Sequence, residues 1–228
     1  EEKQKIIAEL YQSYLERDIA YMFGVQKIGD FAALVKVMAS QIGGMVNISE
    51  LSSTLGLSLG TVKNYLWYMQ KTFLIQQVTP FFKNVRKEII KSSMYYFYDM
   101  GMRNFALGIF CNALSDGGAG HLFENFIYNI LKEKTKDTAL HINFWRTKNK
   151  AEMDFVLDSG SKQIPLEVKY TALKGVQTSR SFLSFISKYK PEKGYMIHVG
   201  AKNQIMIGDT QIYFLPYKDL LFDASLTP

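Results

Sequence analysis

Two short segments, Glu152-Met-Asp-Phe-Val-Leu157 and Ile164-Pro-Leu-Glu-Val-Lys169, carry acidic and basic side chains at a spacing that could do chemistry. Each alternates polar and apolar residues with period two, the pattern of a half-buried strand. Asp158-Ser-Gly-Ser-Lys162 between them has turn composition. A hairpin centred on Gly160 and Ser161 sets Met153, Phe155 and Leu157 against Val168, Leu166 and Ile164 on one apolar face. On the other face Asp154 meets Glu167, and Glu152 meets Lys169. Directly opposed side chains lie roughly 4.5–5.5 Å apart at Cβ, where like charges repel. A divalent cation between Asp154 and Glu167 would remove that repulsion. The plain alternative is a solvated polar face with a Glu152–Lys169 ion pair worth about 0–1 kcal/mol.

A third carboxylate stands on a helix. In Gly120–Lys134 the residues Phe123, Phe126, Ile127, Ile130 and Leu131 fall on one amphipathic stripe, and Glu124 borders it. Taken alone, such a glutamate reaches water. Taken with the hairpin, it is a candidate third ligand, or a carboxylate that orients one.

A helix glutamate, a strand aspartate and Glu-x-Lys on the next strand resemble the PD-(D/E)XK nuclease superfamily, through Glu124, Asp154, Glu167 and Lys169. Met153 stands where the family motif has its proline. The resemblance implies that Asp154, Glu167 and Glu124 hold Mg²⁺ or Mn²⁺. It also implies that Lys169 helps position the attacking water or stabilises the transition state. The chemistry is coherent: Mg²⁺ takes a few carboxylates and keeps waters, acidifies one of them, and a lysine adds a point charge near the developing oxyanion.

The preceding half has a different character. Asn47–Met69 reads as a short helix holding Leu51 and Leu55, a turn at Gly56, and a second helix capped by Ser58, with Val62, Leu66 and Met69 inward and Ser49 as N-cap of the first. This is a helix-turn-helix pattern. Thr61, Lys63, Asn64 and Tyr68 lie off the apolar stripe and could reach bases or phosphates; an ordinary solvated or protein-contacting face is the equal alternative. Phe73–Phe82 reads as a strand, Lys83-Asn-Val-Arg-Lys87 as a basic turn and Glu88–Asp99 as a second strand, giving a wing with Lys83, Arg86 and Lys87. Helices are expected over 3–23, 28–42 and 179–190, and strands near 194–199, 204–208 and 211–215.

Tyr14-Leu-Glu-Arg-Asp-Ile19, the winged helix, Tyr96-Phe-Tyr-Asp-Met-Gly101 and the Glu124-to-Lys169 segment together resemble the C-terminal half of prokaryotic AAA+ ATPase-like proteins. There a P-loop ATPase core precedes a winged helix and a nuclease-like domain. No G-x-x-x-x-G-K-[ST] occurs here, so ATP would be bound only by an N-terminal domain missing from this chain.

The expected fold is α+β: an all-α/winged-helix domain over 1–115, then an α/β restriction-endonuclease-like domain with a mixed sheet over 116–228. The boundary is expected in Ser115-Asp-Gly-Gly-Ala-Gly120. The net charge of +6 divides equally between the halves, which permits nucleic acid, DNA foremost, as a partner without demanding it. A single cysteine, Cys111, excludes an intrachain disulfide and, with three scattered histidines, makes a zinc site improbable. No secretory signal or run of about 18 apolar residues is present, so a cytoplasmic protein is expected. The chain starts at Glu1 rather than Met, as a piece of a longer protein would. Two function classes follow: a Mg²⁺-dependent nuclease guided by a winged helix, or a catalytically silent nuclease fold that binds DNA or a protein partner and regulates an ATPase domain.

Overall fold

The computed structural model describes residues 2–82, 92–109, 118–173 and 175–222. The chain divides into two compact units, residues 1–77 with 92–125, and residues 78–91 with 126–228. Among the described residues no helix is long and apolar enough to cross a membrane.

The first unit is helical with a two-stranded sheet. Helix α1 (Glu2–Ser13) runs on as a π-helical stretch, Tyr14–Met22, that buries Tyr14, Leu15 and Ile19. Helix α2 (Ile28–Ser40) buries Phe31, Leu34, Val35 and Met38 at i, i+3, i+4 and i+7, as an amphipathic helix must. Helix α3 (Ile48–Leu55) is capped by Asn47, not by Ser49. The Asn47 side chain accepts from the Ser49 and Glu50 N–H groups, because it is Asn47 that has the extended backbone of a residue just outside the helix. Gly56, at φ 65°, ends α3 in the left-handed conformation that favours glycine. Ser58 then caps α4 (Leu59–Lys71) by accepting from the Thr61 N–H. Val62, Tyr65, Leu66 and Met69 turn into the core.

Strands β1 (Ile75–Val78) and β2 (Met94–Phe97) pair beside these helices. The expected long strand over 73–82 is interrupted. After Val78 the chain leaves β1 and enters the second unit, within which the Phe144 N–H donates to the Thr79 carbonyl and the Phe81 N–H donates to the Phe144 carbonyl. The basic turn with Lys83, Arg86 and Lys87 lies outside the described residues. Asp99, where the expected second strand ends, caps α5 (Met100–Leu107) through the Met102 N–H. Asn125, fully buried on α6 (Ala119–Thr135), accepts from the Phe97 N–H and donates to the Phe97 carbonyl, both at 2.8 Å.

The second unit is built on a six-stranded mixed sheet of order β3-β4-β5-β6-β8-β7. Its strands are β3 (His141–Arg146), β4 (Glu152–Asp158), β5 (Gln163–Lys169), β6 (Lys193–His198), β7 (Asn203–Ile207) and β8 (Thr210–Pro216). The β3–β4, β4–β5 and β7–β8 pairs are antiparallel, and β5–β6 and β6–β8 are parallel. Helix α7 (Arg180–Tyr189) covers one face: Phe182 and Phe185 share a core with Trp145, Met153, Val156, Met196, Ile212 and Phe214. Tyr128 of α6 packs on Phe155, ring centres 5.7 Å apart. The short helix α8 (Tyr217–Phe222) follows β8 and buries Leu220.

The β4–β5 register is the expected one: Phe155 pairs with Leu166, Val156 with Pro165, and Leu157 with Ile164. Strict alternation along β4 fails, however. Against β3, Asn143 pairs with Val156 and Trp145 with Met153, so two steps on β3 meet three on β4. This is a β-bulge at Asp154 and Phe155. It puts Met153 in the α7-side core with Val156, while Phe155 meets Tyr128. The expected single apolar face of Met153, Phe155 and Leu157 is thereby corrected.

Helix α7 lies close to the sheet at Gly194. A Cβ there would stand 2.8 Å from the Phe182 ring and 3.1 Å from Pro165. Gly194→Ala should therefore cost about 1–3 kcal/mol in denaturant unfolding. Gly120→Ala, on α6 with open space around it, should be neutral or stabilising by less than about 1 kcal/mol. Equal effects would contradict the α7–sheet packing.

Candidate functional site

The bulge sets where Asp154 points, and bulges recur where a side chain must be re-aimed. Asp154 Oδ2 accepts from the Val168 N–H at 2.7 Å, across the hairpin. One residue away on β5, Glu167 is buried, 4% exposed, despite being a carboxylate. Lys169 Nζ lies 2.8 Å from its Oε1, and the Ser179 hydroxyl donates to its Oε2 at 2.6 Å. The same hydroxyl oxygen accepts from the Phe182 N–H and so caps α7. A buried charge is tolerable only when paired and hydrogen-bonded, and both oxygens of Glu167 meet that condition. Asp154 on β4 and Glu167 and Lys169 on β5 therefore stand on paired, neighbouring strands.

Glu152 and Lys169 are not partners. Glu152 pairs with Arg146 on β3, Nη1 to Oε2 3.2 Å, because the β3–β4 register puts those two residues opposite each other. Lys169 turns along its own strand to Glu167, its i−2 neighbour on the same face.

Glu124 belongs to the first unit. Its carboxylate accepts from the Tyr96 hydroxyl, and its Oε2 is 3.7 Å from His121 Nδ1. Gly43 passes close enough that a Cβ there would stand 2.9 Å from His121 Nδ1 and 3.3 Å from Glu124 Oε1. Its place at the border of the buried stripe is as expected. Among the described residues no group of three or more His, Cys, Asp or Glu side chains stands close enough to hold a metal ion. Glu124 accepts from Tyr96 within the first unit, while Asp154 and Glu167 lie on the β4–β5 hairpin of the second.

On α4 the exposed stripe is Lys63, Asn64, Trp67 and Lys71. Lys71 Nζ lies 5.5 Å from the centre of the Trp67 ring, which is 49% exposed. Thr61 is half-buried, its hydroxyl hydrogen-bonded to Ser58 at 2.8 Å. Tyr68 stacks on Phe23 with ring centres 4.4 Å apart. Lys63 and Asn64 thus stand out to solvent as expected, whereas Thr61 and Tyr68 serve the cap and the packing. Trp67 and Lys71 extend the expected set, and their place on this stripe is readable in the sequence as i+4 and i+8 from Lys63. Ser179 extends it too, and its signal in the sequence is only its place as an N-cap.

A cavity of about 220 Å³, lined in part by Lys162, Gln163, Tyr189, Lys190 and Glu192, lies at the other end of the parallel strands, away from Glu167 and Lys169. Lys162 and Glu192 form an exposed ion pair on its wall, and none of the motif residues reaches it.

Residues 1–112 match the family described as Domain of unknown function (DUF8612), and residues 119–220 match Domain of unknown function (DUF4143). Uncharacterized proteins of Mycobacterium tuberculosis and Mycobacterium bovis are 23% identical over 216 residues, covering 94% of this chain and 48% of each relative. An uncharacterized protein of Haemophilus influenzae is 21% identical over 193 residues, covering 82% of this chain and 46% of the relative. The chain thus spans about half the length of the curated relatives it matches. The crystal structure of protein VC1899 from Vibrio cholerae aligns with 86% of this chain and 46% of its own, at 10% identity and a TM-score of 0.24.

Proposed function

We propose that this chain is the nucleic-acid-handling portion of an AAA+ ATPase-like protein, with a helix-turn-helix that binds duplex DNA and a PD-(D/E)XK-like unit that cleaves phosphodiester bonds with a divalent cation. The observation that carries this reading is the placing of Asp154 on one strand against Val168 on the next, with Glu167 and Lys169 flanking Val168 and ion-paired to each other. The match to DUF4143, common in proteins associated with AAA ATPases, supports the wider setting. ATP chemistry would belong to a domain outside this chain.

Two carboxylates fit Mg²⁺ or Mn²⁺ as a donor set, since Mg²⁺ is commonly held by one or two carboxylates and retained waters. Asp154 and Glu167 would hold the ion; Glu124 would take part only by giving up its present partners. A bound cation would supply an acidified water and offset phosphate charge. The chain's own groups do the rest. The Val168 N–H fixes the Asp154 carboxylate. The Ser179 hydroxyl fixes Glu167. The Lys169 ammonium presents a positive charge to a phosphate oxygen. The α4 stripe and the basic segment with Lys83, Arg86 and Lys87 would hold the DNA backbone.

One observation favours a second reading, a silent nuclease fold that only binds DNA or a partner. Both oxygens of Glu167 already have partners, and Lys169 supplies the cationic charge that a metal would bring.

Cleavage of a duplex oligonucleotide should require Mn²⁺ or Mg²⁺ and fall by roughly 100-fold or more in Glu167→Ala and Lys169→Ala. Ser179→Ala should weaken Mn²⁺ binding roughly 10- to 100-fold in calorimetry by releasing Glu167. Metal binding without cleavage establishes the silent fold; absence of both reduces the residues to an ion-pair cluster. Asp154→Asn keeps an acceptor for the Val168 N–H, whereas Asp154→Ala should cost about 1–3 kcal/mol of stability. Comparing the two separates support of the hairpin from chemistry.

Duplex binding should weaken steeply with salt. Lys63→Ala with Lys71→Ala should lower the slope of log affinity against log salt by about two, near one per lost phosphate contact. An unchanged slope and affinity would turn the α4 stripe into a protein-contact surface.

A further inference from the structure

His198, the last residue of β6, is 1% exposed and takes no part in the site on the β4–β5 hairpin. Its Nδ1 accepts from the Gly200 N–H at 3.0 Å. A nitrogen that accepts carries no proton, so the neutral ring must hold its proton on Nε2. That Nε2–H is buried and has no hydrogen-bond partner among the described residues. An unpaired buried donor carries a desolvation penalty and calls for an explanation; a bound acceptor supplies one. Burial also lowers the pKa of His198 below its ordinary value, which keeps the ring neutral near pH 7.

The strand register says what surrounds it. In the parallel β5–β6 pair, Lys169 stands opposite His198 and Glu167 opposite Met196. Alternation puts all four side chains on one face, the face that α7 covers with Phe182 beside Met196. Adjacent strands are about 4.8 Å apart. Lys169 is 43% exposed, so an anion that reaches its ammonium from solvent arrives one strand spacing from the His198 ring. Both residues end their strands, and ligands of α/β sheets gather at the carboxyl ends of parallel strands.

The chemistry selects the ligand. Nδ1 is committed to Gly200, and Nε2 offers a proton rather than a lone pair. The neutral ring is thus a donor to an acceptor oxygen and not a metal ligand. Gly200 also fixes the ring in place: a Cβ at Gly200 would stand 2.9 Å from both Cε1 and Nδ1.

We infer that His198 is a ligand-contacting residue of a phosphate-type oxyanion site at the carboxyl ends of β5 and β6, its Nε2–H donating to an anion oxygen that the Lys169 ammonium also faces. The site shares Lys169 with the proposed nuclease centre and extends that reading, but its test reads anion binding without metal or bond cleavage, so its failure is distinguishable from a failure of cleavage.

The test uses the full chain, labelled with ¹⁵N-histidine and free of metal. Long-range ¹H–¹⁵N spectra should show the Nε2–H form of His198 at neutral pH. Inorganic phosphate, titrated against chloride at constant ionic strength, should shift the Nε2 resonance saturably. His198→Phe should weaken phosphate binding on the order of tenfold, the worth of one hydrogen bond to a charged group, and His198→Gln, which keeps a donor, should recover most of it. If His198→Phe fails to fold, the wild-type titration carries the test unaided. A short single-stranded oligonucleotide without terminal phosphates is the second arm. A shift with it alone assigns the site to phosphodiesters of a polymer. A shift with inorganic phosphate as well assigns it to the oxyanion itself. A resonance that moves with neither, or moves equally with chloride, overturns the inference and leaves His198 as a buried support of the Gly200 turn.

Discussion

A carboxylate buried in the edge of a core is the constraint from which the second unit's organisation follows. Glu167 is one of few charged groups removed from water among the described residues, and an unpaired charge there would cost far more than the hairpin gains. Its partners are therefore built into the chain's path. Lys169 follows it by two residues on the same strand face, which costs no extra loop. Ser179 arrives from the start of α7, where it also terminates the helix's unpaired N–H groups. One hydroxyl thus serves two elements, tying the entry of α7 to the end of β5. With α7 so placed, Phe182 falls over Gly194, and that contact fixes how near the helix lies to the sheet.

The hairpin was legible in sequence because period-two alternation and a Gly-Ser turn fix register together. Its bulge was not, because a bulge is defined by the partner strand, and β3 escaped detection. In His141-Ile-Asn-Phe-Trp-Arg146 the pattern is broken by Phe144 and Trp145 standing side by side. Those two residues serve different neighbours: Phe144 accepts the Thr79–Phe81 segment along its backbone, and Trp145 packs on Phe185 and Tyr189. Missing β3 had two consequences. Without β3, sequence alone pairs Glu152 with Lys169 rather than with Arg146, and sets Met153 and Phe155 on one face.

In the first unit the turn at Gly56 and the cap at Ser58 were readable, since each is a local requirement met by one residue type. Asn47 was passed over for Ser49, two residues on, because both are good caps and only backbone conformation decides between them. The surface of α4 was harder. A tryptophan is assigned to a core by default, yet Trp67 is half exposed beneath Lys71, a position that helix geometry predicts and hydrophobicity conceals. Glu124 was correctly set at the border of an apolar stripe. Its partner Tyr96 was invisible, being 28 positions away and on a strand whose side chains are all buried.

Lys169 carries two duties that any experiment on it must separate. The buried Glu167 needs a counter-charge, and stripping one partner from a fully buried pair costs about 3–5 kcal/mol. Here the lysine is nearly half exposed while Glu167 is buried, so the loss should fall below that fully buried limit. Ser179 would continue to satisfy one Glu167 oxygen. The fold can therefore outlast the loss of this ammonium more readily than an anion site can, because an arriving phosphate would then meet two carboxylates with no intervening positive charge. The same argument explains why both Asp154 and Glu167 can be retained on interior strands of the sheet without a metal. One is held by a backbone N–H and the other by a lysine and a hydroxyl, so neither negative charge relies on an ion from solution to stay folded.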